Sequence, residues 1–146
     1  MTLKLFRAIW FLSMLAAFAC LLYVYASLPQ EVIVAEDGLS TITLGRDPLF
    51  YTAMVLIALV NATVYLFSKR IAPDEHFRIW LNGLVISANI FFIIAMSFVS
   101  VYNSTEKFDF GRIGFIIYSS VGLVALWLVS WPVYQLLRKY ISKEPV

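Results

Sequence analysis

The chain has 146 residues, 62% hydrophobic and only 14% charged, with mean hydropathy +0.85. Soluble domains carry roughly 25% charged residues, so the composition excludes an ordinary soluble globular domain. The formal charge of +2 is modest and gives no sign of a nucleic-acid partner, but it conceals a strong sorting of charge along the chain.

Four stretches carry no charged residue: Ala8 to Gln30, Pro48 to Ser68, Ile79 to Thr105 and Ile113 to Leu137. Crossing a bilayer core takes about 20 apolar residues as a helix, and each stretch is long enough. The expected fold is therefore an all-α membrane protein. It is a four-transmembrane-helix antiparallel bundle, one domain over 1–146, with spans at about 5–27, 48–68, 78–102 and 112–137.

The first span follows Lys4 and Arg7 and stops near Pro29, which cannot continue a helix without losing a hydrogen bond. Its apolar run from Ala8 to Ala26 exceeds the 7–15 residues of a secretory signal core, so an uncleaved span is expected. Cys20 lies within it as a lone cysteine and reads as a small packing residue. The segment from Leu28 to Asp47 holds two β-prone runs, Val32-Ile33-Val34 and Thr41-Ile42-Thr43-Leu44, on either side of Asp37-Gly38. An Asp-Gly between such runs signals a hairpin, so a small external β-hairpin is expected between helices 1 and 2. Two strands alone are marginally stable; this pair should rest on the helix ends or on a partner.

Asp47-Pro48 has the form of a helix start, with Asp as cap and Pro in the first turn. The second span ends at Lys69-Arg70, and Pro73-Asp74-Glu75 opens the third after a turn short enough to make the two helices antiparallel neighbours. The third span runs to Tyr102. The fourth begins near Gly111 and ends in Arg138-Lys139, with Trp127, Trp131 and Tyr134 forming an aromatic belt near that end.

Eight of the eleven basic residues (Lys4, Arg7, Lys69, Arg70, Arg78, Arg138, Lys139 and Lys143) fall on one side of this arrangement. Short loops rich in Lys and Arg stay cytoplasmic. Both termini are expected inside a plasma membrane, with about +5 within and −3 outside.

Polar residues inside the spans follow helical spacing. The third helix offers Asn82, Asn89, Ser100 and Asn103, and the second offers Ala58, Asn61, Tyr65 and Ser68. The first offers Ser13, Ala17, Cys20, Val24 and Ser27; the fourth offers Gly114, Tyr118, Val121, Ala125 and Leu128. Small residues allow close approach, and Asn and Ser hydrogen-bond between helices. Asn61, Asn82, Asn89 and Ser100 are thus the candidate interhelical polar contacts. Asn61 and Asn89 lie eight and eleven residues from Lys69 and Arg78, at similar depth.

No Asp, Glu, Lys, Arg or His is embedded, although proton and ion pathways usually depend on such residues. His76, the one histidine, follows Asp74-Glu75, whereas a metal site normally converges three or four ligands. No enzyme activity and no cofactor are expected. Lipid and other membrane proteins, or further copies of the chain, are the expected partners. The hairpin is the candidate partner-facing surface, through Val32, Asp37, Gly38 and Ile42. A transporter or channel component formed by oligomerisation around Asn61, Asn82 and Asn89 is the alternative.

Tyr25-Ala26-Ser27-Leu28-Pro29-Gln30-Glu31-Val32, closing the first span, resembles small bacterial membrane proteins of the SdpI-type immunity neighbourhood. Leu28-Pro29 and Gly38 match that pattern, while Val34-Ala35-Glu36 stands where a His-aromatic pair is usual. The resemblance spans about residues 22–48. It implies a bacterial inner-membrane protein without an enzymatic role, and it transfers no functional residue.

Overall fold

A computed structural model describes residues 1–71, 74–104 and 110–142, and of 34–37 and 110–113 the backbone only. The elements run α1 (Thr2–Ser27), β1 (Glu31–Asp37), β2 (Ser40–Gly45), α2 (Arg46–Arg70), α3 (Glu75–Tyr102) and α4 (Phe110–Ile141). All four helices are long and apolar enough to cross a membrane, and the small antiparallel sheet lies between α1 and α2.

Side-chain pairings fix the helix directions. Ser13, Cys20 and Ser27 of α1 meet Asn89, Ser97 and Ser100 of α3 in the same order, so these two helices run parallel. Trp10 of α1 meets Asn61 and Tyr65 near the end of α2, and Tyr25 meets Asp47 and Phe50 near its start, an antiparallel pairing. Trp80 and Phe77 meet Trp127 and Trp131, so α3 and α4 are antiparallel too.

Seven residues of α3 are buried, against three each on α1 and α2 and Ser120 alone on the described part of α4, which makes α3 the axis of the molecule. The apolar core joins Ala17, Leu21 and Val24 of α1 to Ile57 and Met96, and it takes in Leu28 and Val32. The fourth helix departs from the expected bundle: among the described residues it packs substantially on α3 only. Its expected seam also misses, since Tyr118, Val121 and Leu128 are exposed and the face against α3 carries Trp127 and Trp131 instead. An apolar helix with no polar face gives no direction in its own sequence.

The close approach of α4 is made by a glycine on the other helix. A Cβ at Gly83 would collide with the Trp127 indole, whereas one at Gly114 or Gly122 would meet nothing within 4 Å. Across this contact the Trp80 and Trp127 indoles each donate to the other's backbone carbonyl at 2.8 Å.

The start of α2 is also corrected. Its N-cap is Gly45 and no side chain caps it. Strand β2 runs straight into the helix, with Arg46 N–H donating to Gln30 O at 2.8 Å. Asp47 is drawn away from capping by Tyr25, whose hydroxyl donates to its carboxylate at 2.8 Å. Asp74 caps α3, accepting from Phe77 N–H at 2.8 Å. Pro73 lies outside the described residues.

Candidate functional site

Three features carry the chemistry: a buried amide network, a basic cavity beside it, and the hairpin at the opposite end. The network begins with Asn61 and Asn89, 2% and 0% exposed. Their amides donate to each other's carbonyl oxygens at 2.9 and 3.0 Å. Asn61 gives its second N–H to Ile57 O at 2.7 Å and accepts from the Trp10 indole at 2.9 Å. Asn89 gives its second to Ser13 Oγ at 3.0 Å, and Ser13 donates to Trp10 O at 2.7 Å. Three helices are thus tied at one level. Every amide N–H of the pair has a partner, which is what burial of such groups demands.

Asn82 does not join this network. It is buried and donates back to Arg78 O on its own helix at 2.8 Å. Ser100 lies opposite Ser27, with the two hydroxyls 3.1 Å apart. Trp10, which the spacing of polar residues does not single out, sits at the centre. An indole N–H seeks an acceptor when buried, and that requirement was the available clue.

Below the network lies a cavity of about 200 Å³ lined by Arg7 and Trp10 of α1, Tyr65, Ser68 and Lys69 of α2, and Asn82 of α3. No acidic side chain lines it, and neither Arg7 nor Lys69 has a salt-bridge partner among the described residues. Trp10 and Tyr65 stack with centroids 5.8 Å apart. The same two rings also border an apolar groove of about 310 Å³ between α1 and α2, lined by Met14, Phe18, Ala58 and Ala62.

At the far end the hairpin turns at Gly38, the one positive-φ residue described, at φ 47. Gly with positive φ followed by an ordinary Leu39 is the pattern of a type II′ turn. The ladder shifts register between Ile33 and Ala35. Strand β1 is fastened down twice. Val32 is fully buried in the core. The Asn103 side chain, at the end of α3, accepts from Ile33 N–H at 2.7 Å and donates to Ile33 O at 3.1 Å. Val32 is therefore an anchor, and it drops out of the candidate partner-facing set. The Asp37 side chain lies outside the described residues. Ile42 is 54% exposed and Leu39 wholly so.

Cys20 contacts Ser97 Oγ and Ile93 O, both on α3. Among the described residues no three His, Cys, Asp or Glu side chains converge on a point. No protein-family model, curated protein or solved structure matches the chain.

Proposed function

We propose that the chain is a non-enzymatic, multi-pass membrane protein that works by contact with another membrane protein, and that β2 is its docking edge. The observation that carries this reading is the one-sided fastening of the hairpin. Asn103 and Val32 hold β1 to the helices, while β2 from Ser40 to Leu44 is exposed throughout. With the helices in a bilayer, Leu39 and Ile42 stand among water and headgroups, where an apolar patch marks an interaction site. A free strand edge supplies backbone groups for an added strand, and alternate side chains give selectivity.

The membrane is a plasma membrane, bacterial inner membrane on the resemblance of residues 22–48, with both termini cytoplasmic. The gathering of basic residues at one end of the helices supports that orientation. The role is that of an accessory, assembly or immunity-like subunit.

Photo-crosslinking from Thr41 and Thr43 in the native membrane tests the docking edge. One discrete adduct is expected, and it should disappear with Ile42→Asp, a change at an exposed position that leaves Val32 and Asn103 in place. Absence of any adduct, or an adduct indifferent to Ile42→Asp, would remove β2 as the docking edge.

A further inference from the structure

We propose that the cavity at Arg7 and Lys69 and the adjoining groove form one binding site for an anionic phospholipid. The inference rests on the chain being membrane-embedded, though not on the hairpin docking a partner.

The cavity is built for an anion. Two cations from different helices face it without a carboxylate among its walls. Its polar floor is Ser68 and Asn82, 7% and 5% exposed. Asn82 spends one N–H on Arg78 O; among the described residues its other N–H, its side-chain oxygen and the Ser68 hydroxyl meet no hydrogen-bond partner. Arginine offers a planar fork that fits phosphate oxygens, and lysine a mobile point charge. Basic pockets between helices near the cytoplasmic surface are where anionic headgroups bind.

The groove has the chemistry of an acyl-chain site. Its walls are Met14, Phe18, Ala58 and Ala62, and the small alanines keep it open. It runs from Trp10 to Phe18 on α1 and from Tyr65 to Ala58 on α2, eight and seven residues. At 1.5 Å per residue the groove extends about 10–12 Å, the larger part of one leaflet of a 30 Å hydrocarbon core. Trp10 and Tyr65 belong to both compartments, so the headgroup end and the acyl end are continuous.

The test is native mass spectrometry and thermal unfolding of the full chain, titrated with dioleoyl phosphatidylglycerol, dioleoyl phosphatidylcholine or inorganic phosphate. The phosphatidylglycerol should be held at least about tenfold more tightly than phosphatidylcholine and should raise the melting temperature. Arg7→Gln with Lys69→Gln should abolish that preference, while Arg138→Gln with Lys139→Gln, outside the cavity, should preserve it. Ala58→Trp fills the groove from an exposed position and should block phosphatidylglycerol without loss of helix content.

Equal binding of the two lipids, or a preference that survives the Arg7 and Lys69 changes, overturns the site. Stabilisation by inorganic phosphate equal to that by the lipid would make the cavity a free-anion site and overturn the lipid. Alkaline extraction reports separately on the membrane reading, since an embedded chain stays in the pellet whichever lipid it binds.

Discussion

Asn61 has two N–H donors and a carbonyl oxygen with two lone pairs, and all four are used. In lipid an unused amide valence has no water to turn to, so this completeness is what allows two asparagines to sit in long apolar helices. The pair was legible in the sequence because polar residues are rare in such runs and these two fall at similar depth. Trp10 and Ser13 were less legible as its partners, since closing the ring of bonds depends on the parallel packing of α1 and α3. Asn89→Leu strands an N–H of Asn61 and should cost about 1–2 kcal/mol, the upper range for interhelical hydrogen bonds. Asn61→Leu combined with Asn89→Leu should cost less than the two single changes added together, because no orphan amide remains. Reversible unfolding in mixed detergent measures all three variants, and strict additivity would show that the amides act independently.

At the scale of elements, the charge-free runs revealed the four helices and the Asp37-Gly38 turn revealed the hairpin. The faces of α4 stayed hidden. Lipid and helix partners are equally apolar, so hydrophobic periodicity carries no information about which side is covered. What fixes α4 is the absence of a side chain at Gly83, which lets the Trp127 ring lie against the α3 backbone. The reciprocal indole-to-carbonyl bonds then lock the register. Gly83→Ala forces the indole away and should destabilise the protein by about 1–3 kcal/mol, the usual range for overpacking. That penalty should shrink sharply in a Trp127→Ala background. Gly122→Ala meets no neighbour within 4 Å and should be neutral or slightly stabilising, as alanine is the better helix former. Thermal unfolding of the unaltered chain, Gly83→Ala, Trp127→Ala, their combination and Gly122→Ala decides it; equal penalties at Gly83 with and without Trp127 would mean that the indole is not what the glycine accommodates.

Over the whole molecule, the pairing directions make orientation a single choice. With α1 and α3 parallel and α2 and α4 opposed to them, the start of α1, the end of α2, the start of α3 and the end of α4 share one end. Among the described residues that end carries seven basic residues, Lys4, Arg7, Lys69, Arg70, Arg78, Arg138 and Lys139, and the hairpin end carries Arg46 and, in the first turn of α4, Arg112. Lys and Arg in short loops decide topology, and acidic residues contribute little, so seven against two is the comparison that matters. Reporter domains fused after Lys69 or at the C-terminus should therefore report cytoplasm, and reporters inserted at Gly38 or Ser104 should report the exterior. The result bears on both proposals. An exterior signal from the C-terminus alone would mean that one helix does not span, and α4, whose substantial packing among the described residues is on α3, is the helix to suspect. A wholly inverted pattern would turn the molecule over and bring β2 into the cytoplasm. It would also open the Arg7 and Lys69 cavity to the outer leaflet, where the anionic lipid it is built to hold would have to be sought.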